Sequence, residues 1–341
     1  MTRRSLSLSI LGLAVLLLLI TAPDVLLTIF AGILFAVFLR GGGCWIAKRL
    51  SIGDGWGIGL FLTAIIALFA ISGTVAAPQV VEQFEELTSQ LPEALAAVQE
   101  RIEQYSWGER LMNQIRPAGL WSSGGDAATR AVSSTFGAFG NFVIILFIGL
   151  YGAIDPGLYR RGVRLLIAPS LRDEAARVMD ATGQTLRDWL MAQLIAMAVV
   201  GVLTGLGLWA IGIPLAFILG LIAALLAFIP NIGPVIAAAP AVLLAFSAGW
   251  NEVLLVLAVY IAVQTLESYV ITPLIQQEKV SLAPAFVIAV QLLFGVLFGL
   301  MGLALSTPIA AAIITIVQMA YIKRYLDSEP AREHTVALTA K

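Results

Sequence analysis

Phe228-Ile229-Pro230-Asn231-Ile232-Gly233-Pro234 separates two apolar runs, residues 215–227 and 235–246. Each run has about a dozen residues, whereas a helix crossing a hydrocarbon core takes roughly 20. Two prolines and a glycine within five residues cannot continue a helix, because proline lacks the N–H and glycine pays heavily for helical order. The pattern predicts a helical hairpin whose broken turn lies at membrane depth. Broken backbone survives there only when it is buried in protein or lines a cavity. This stretch therefore decides the fold class and marks the first place to look for function.

The composition agrees. Of the 341 residues, 60% are hydrophobic and 12% are charged, and the mean hydropathy is +0.95. These values describe an all-α polytopic membrane protein, not a soluble domain. A net charge of −1 gives no reason to expect a nucleic-acid partner. The single cysteine, Cys44, excludes an intrachain disulfide framework, and the single histidine, His334, falls in a polar tail where it cannot build a metal site. No phosphate-binding Walker loop is present, so ATP does not drive the protein directly. No His or Asp lies inside the clear spans, which argues against metallo- or aspartyl intramembrane proteolysis. The Ser and Thr of the spans have no His partner. The expectation is a protein that is not an enzyme and carries no cofactor or metal.

Taken in order, residues 1–77 predict three membrane helices, at about 6–22, 25–39 and 56–77. Arg3-Arg4 and the apolar run behind them read as a retained helix. No small-x-small cleavage pattern stands near Thr21-Ala22-Pro23, and another apolar run follows at once. Gly41-Gly42-Gly43 reads as a flexible joint. Residues 78–131 then turn polar and acidic. Phe84, Leu87, Leu91, Leu95, Val98, Ile102 and Tyr105 recur at helical spacing, so this segment predicts an extracytoplasmic amphipathic helix or helix pair, with Pro92 starting the second. Residues 132–189 hold a fourth membrane helix, ending at Asp155-Pro156, and a connector helix over 171–189 with six arginines between 160 and 187. Arg3, Arg4, Arg40, Lys48, Arg49, that connector and Lys323-Arg324 fall on one side if the helices alternate, which puts both termini in the cytoplasm.

Residues 190–325 predict the transport core, with 326–341 a polar tail. A fifth helix over 190–211 precedes the opening hairpin, and another helix over 253–271 stops before Pro273. A second hairpin-like pair, about 284–300 and 308–322, is broken at Gly299, Gly302 and Ser306-Thr307-Pro308. Helix, broken hairpin, helix, broken hairpin is the pattern of an inverted repeat, which secondary transporters use to build a substrate site where the breaks meet.

The candidate pathway residues follow from chemistry. In an otherwise apolar helix, Gln264, Glu267 and Ser268 share one face at i, i+3 and i+4. An intramembrane carboxylate is expensive and usually faces a cavity, a partner or an ion path, which suits proton-linked transport at Glu267. Asn231 is the strong hydrogen-bonding side chain of the opening break. Pro230, Gly233 and Pro234 free backbone groups beside it, and Ser306, Thr307 and Pro308 do the same at the second break. Pro273 closes the helix that carries Glu267.

These motifs in this order resemble the AI-2E (autoinducer-2 exporter-like) family of bacterial transporters. The resemblance rests on Phe228 to Pro234 with Pro240 beyond, Gly212-Ile213-Pro214, Gln264…Glu267…Pro273, Pro284, and Gly299-Leu300-Met301-Gly302…Pro308. It covers essentially the whole chain and departs at Asn231, where the family often carries an aromatic. It implies a bacterial inner-membrane protein of about eight hydrophobic segments, with membrane lipid and a small molecule or ion as partners. It also implies homo-oligomers, a pentamer among the candidate assemblies. The activity implied is export of an autoinducer-2-like solute, with Na⁺(Li⁺)/H⁺ antiport the alternative within transport. A non-transporting membrane scaffold is the alternative of another class, although a scaffold has no need of two broken hairpins. The expected site lies where the two breaks meet, with Asn231 lining it.

Overall fold

The computed structural model describes residues 12, 17, 21–103, 124–271, 273 and 283–320, and every regular element among them is helical. Most of the expected first helix, residues 104–123, the polar turn at 276–279 and the tail from 321 onward lie outside the described residues. The helices are α1 (Pro23–Leu50), α2 (Asp54–Glu103), α3 (Gly124–Ile154), α4 (Pro156–Leu166), α5 (Arg172–Ala210), α6 (Ala216–Leu226), α7 (Ile232–Ala248), α8 (Trp250–Leu266) and α9 (Pro284–Val317). Among the described residues five helices are long and apolar enough to cross a membrane, or six if the bent α3–α4 pair counts as one span. The expected eight or so hydrophobic segments also include the first hairpin, whose apolar helices 216–226 and 232–246 are shorter, and the first helix, most of which lies outside the described residues. The span at the start of α2, Asp54–Ile71, has only 11% of its window buried. An apolar surface so bare requires lipid or protein against it.

Three helices run through breaks that the sequence suggests. α1 continues through Gly41-Gly42-Gly43, so these glycines form no joint. A Cβ at Gly41 would stand 3.3 Å from Arg187 Nε, so the glycine admits a neighbouring side chain instead of loosening the chain. α2 is 50 residues long and carries Pro78 and Pro92 inside it, so neither the polar boundary at 78 nor Pro92 ends a helix. Each proline removes a hydrogen bond to the carbonyl four residues back. Leu87 and Ala94 are buried beside Pro92, and this tertiary packing offsets the loss. The hydroxyls of Thr74 and Thr88, four residues before each proline, donate to Ile71 O and Glu85 O, both at 2.9 Å. The expected connector helix and fifth helix are a single helix, α5, because no proline interrupts residues 172–210.

The chain divides into two compact units, residues 1–44, 145–190 and 278–341 in the first, and 45–144 and 191–277 in the second. In the first unit α1 packs closely on the end of α3. Gly32 faces Ile148, Gly149 faces Phe35 and Gly152 faces Ala36, with no room for a Cβ at Gly32 or Gly149. Small residues let membrane helices approach in this way where no hydrophobic effect drives them together. Arg40 Nη1 donates to the Ala153 carbonyl at 3.2 Å, placing a cation on the carbonyl end of α3.

The same unit holds the second hairpin. α9 reverses at Gly299 (φ 64°, ψ −149°), a conformation that favours glycine. A Cβ at Gly302 would collide with the Phe294 carbonyl, Gly295 faces Leu303, and Gln291 Nε2 donates to Thr307 Oγ1 at 3.4 Å. A straight helix would hold residues 291 and 307 about 24 Å apart. The arms 284–298 and 300–317 therefore run antiparallel, and α9 is not a single crossing helix. The break expected around Gly299–Pro308 is one residue, Gly299; Ser306, Thr307 and Pro308 lie within the second arm.

In the second unit the core forms around α6 and α7. Leu208, Leu219, Ala223, Ala237, Ala241 and Val256 are among its buried members, with Leu87 of α2 joining them. The second half of α2 thus packs on the first hairpin, and Gln83 Oε1 accepts from Ile218 N at 3.1 Å. That bond satisfies one of the unpaired N–H groups in the first turn of α6, whose own cap residue, Leu215, supplies no side-chain acceptor.

Candidate functional site in the second unit

The break between α6 and α7 is a closed backbone structure. Ala227, Phe228 and Ile229 donate to Ala223, Leu225 and Leu226 respectively, and Gly233 donates back to Ile229 at 2.9 Å. Ile232 N reaches the Pro230 carbonyl at 2.7 Å, closing a three-residue turn centred on Asn231. Asn231 has φ 64° and ψ −50°, the rare and strained form of γ-turn. Such strain costs on the order of 1–3 kcal/mol and persists only where the surroundings impose it. Asparagine tolerates positive φ better than most residues, which accounts for the residue type. Asn231→Gly should relieve about 1 kcal/mol and raise the thermal midpoint in detergent, and Asn231→Val should lower it. A midpoint ordered Val above Gly would show that the turn is not strained.

Two neighbours hold this turn. The first is the end of α5. Gly201 and Gly205, one turn apart, meet Ala224 and Gly220 of α6, and a Cβ on Gly220 would stand 2.8 Å from the Gly205 Cα. This small-residue seam runs the two helices antiparallel at close range. It carries Gln193, about two turns earlier on α5, to the end of α6. There the buried Gln193 Nε2 donates to the Ala227 carbonyl at 2.6 Å. Gln193→Leu would leave that carbonyl without its side-chain donor and should cost about 1–3 kcal/mol. The measurement is the thermal midpoint in detergent, and an unchanged midpoint would mean that water replaces the amide.

The second neighbour is α8. Gly249 (φ 148°) turns the chain from α7 into α8, and Tyr260 Oη donates to the Ala237 carbonyl at 3.1 Å. Both helices rise 1.5 Å per residue, so this register puts Gln264 about level with Gly233 and Glu267 about level with Pro230. Gln264 Nε2 donates to Glu267 Oε2 at 2.7 Å and approaches Ser268 Oγ at 3.5 Å. The carboxylate is half-buried, whereas Ser268 is exposed. At Glu267 the helix widens into a π-turn, Glu267–Ile271, a departure from α-geometry that is frequent at functional sites.

Pro230, Asn231, Gly233 and Pro234 thus lie at about the same level along the second unit as Gln264, Glu267 and Ser268. Gly233 is buried, Pro230 and Pro234 are half-buried, and Asn231 is exposed. Pro273, two residues beyond the π-turn, is exposed. Ser306, Thr307 and Pro308 belong to the first unit, where all three are buried together with Gln291. Ser306 Oγ donates to Leu303 O at 2.7 Å, and further along the same arm Thr315 Oγ1 lies 3.1 Å from Thr185 Oγ1 of α5. Among the described residues no three His, Cys, Asp or Glu side chains converge as metal ligands. Sequence reasoning missed Gln193, Tyr260, Gln83 and Gln291. For Gln193, Tyr260 and Gln291 the available signal was a lone amide or phenol in an apolar run, which must find a partner when buried, whereas Gln83 stands in a polar stretch that gives no such signal.

Comparison with known proteins supplies the wider context. Residues 6–322 match the model of the AI-2E family transporter. The chain is similar to YueF of Bacillus subtilis strain 168, named "Putative transport protein", with 26% identity over 84% of this chain and 81% of that protein. It is 28% identical to YrrI of the same organism, likewise named, over 52% of this chain, and the match spans only half the length of YrrI. It is 34% identical to the AI-2 transport protein TqsA of Escherichia coli K12 over 34% of this chain and 35% of TqsA.

Proposed function

The chain belongs to the AI-2E transporter family, and on that premise we propose that it exports a small polar solute across the bacterial inner membrane by alternating access. An autoinducer-2-like signalling molecule is the first candidate, since one similar protein is named for AI-2 transport. The single observation that carries the reading is the break at 227–231. It is a strained turn next to the buried amide of Gln193 and level with the half-buried carboxylate of Glu267, among the apolar helices α6 to α8. Irregular backbone flanked by polar side chains at membrane depth is how transporters make a solute site without a water-filled channel. Glu267 couples transport to a proton or sodium ion in this reading, with Gln264 orienting it. The working protein is a homo-oligomer with both termini in the cytoplasm.

The test is a substrate screen in proteoliposomes with and without a pH gradient. Uptake of a polar solute that accelerates when the gradient is imposed supports coupled export. Absence of flux for every solute and ion tried would favour the scaffold. The second reading, Na⁺(Li⁺)/H⁺ antiport, draws on Glu267 being the acid placed beside the break. It predicts sodium-dependent proton release from the same vesicles with no solute present. Cysteine labelling at Asn231 gives a further check, because alternating access requires its accessibility from one side to change with the imposed gradient.

A further inference from the structure

We propose that α4 is an in-plane membrane anchor, lying along the bilayer surface with one face seated between lipid headgroups and acyl chains. α3 ends at Ile154, and the chain turns by 92° between 139–154 and α4. Asp155 fixes the corner, its Oδ1 accepting from Leu158 N at 3.0 Å, with Pro156 in the first turn. A helix leaving a membrane span at a right angle runs parallel to the membrane plane.

Its side chains are sorted to suit. At about 100° per residue, Leu158, Tyr159, Val163, Leu165 and Leu166 occupy one side, and Arg160, Arg161 and Arg164 the other. The arginine side is held by the start of α5. Arg160 pairs with Asp180, Arg164 pairs with Asp173 at 3.6 Å, and Arg172 Nε donates to the Arg164 and Ile167 carbonyls that end α4. Among the described residues nothing covers the apolar side. No residue of α4 is buried, and Leu165 and Leu166 are 70% and 62% exposed. An eleven-residue helix so uncovered is marginal in water, whereas an interfacial helix gains stability by burying that same face roughly 5–10 Å into lipid. Continuity with a membrane-spanning helix names the occupant, since lipid is what the end of such a span meets. Arg161, whose Nε donates to its own Gly157 carbonyl at 3.2 Å, has no acidic partner among the described residues and stands beside the apolar face, where lipid phosphates lie.

The experiment uses full-length protein with Cys44→Ser, carrying a single spin-labelled cysteine at Val163, Leu166, Arg160 or Arg164. The protein is placed in vesicles of phosphatidylcholine and phosphatidylglycerol, and collision with oxygen is compared with collision with a water-soluble nickel chelate. The oxygen-to-nickel ratio at 163 and 166 should exceed that at 160 and 164 by roughly threefold or more. Equal, water-like ratios at all four positions would overturn the proposal. So would labels at 163 and 166 shielded from both reagents, which would mean that protein, a second copy of the chain included, covers the face.

Discussion

Glu267→Gln should leave the protein folded and cut coupled solute flux by roughly tenfold or more. The glutamine preserves shape and still offers an oxygen to Gln264 Nε2, which now bonds the carboxylate at 2.7 Å. What it removes is the charge and the ability to take up a proton. A half-buried group keeping its main hydrogen bond should change stability by no more than about 1 kcal/mol. Flux and stability should therefore separate: the thermal midpoint is retained, transport falls, and acceleration by a pH gradient disappears. Glu267→Asp, which keeps the charge on a shorter stem, should recover part of the flux. If Glu267→Gln transports at the wild-type rate with the same response to the gradient, Glu267 is a structural carboxylate and the coupling proposal fails.

Gly233→Ala should give the largest loss of stability of any single methyl added to the second unit. A Cβ there would overlap the Leu226 carbonyl and its carbon atom far inside van der Waals contact. Both are backbone atoms at the end of α6, so no side chain can turn aside. The added methyl must push α7 from α6 or open the turn at Asn231, and overpacking of this kind costs about 3 kcal/mol. The control is Gly59→Ala on α2, where an added Cβ meets nothing within 4 Å. There alanine should be neutral or stabilising by at most about 1 kcal/mol. Thermal midpoints of the two variants in one detergent make the comparison. Equal midpoints would mean that the α6–α7 junction yields more readily than its geometry implies.

Proline, glycine and hydropathy carried much of this fold in one dimension. Pro230, Gly233 and Pro234 mark the first break, and Gly299 marks the reversal of α9, because glycine reaches positive φ at little cost and proline withdraws an N–H from the helix. The same residues misled where packing outweighed their preference. Gly41-Gly42-Gly43, Pro78 and Pro92 all lie inside helices. Gly32 and Gly41 of α1 abut neighbouring side chains, and the second half of α2 is fixed by burial against α6 and α7. Propensity is a matter of about 1 kcal/mol for glycine and 3 for proline, amounts that several buried side chains exceed.

Of the candidate site, the amino-acid sequence by itself determined the break, the acid and the amide one turn before it. Their chemistry is local, and their rarity in an apolar chain makes them visible. Only the tertiary structure decided that Gln193 reaches the Ala227 carbonyl, that Tyr260 sets the register of α8 on α7, and that Glu267 is thereby level with Pro230. The physical reason is that helices in lipid are aligned by close contacts such as Gly201, Gly205 and Gly220. A seam of that kind fixes which residues meet only once both of its sides are in place.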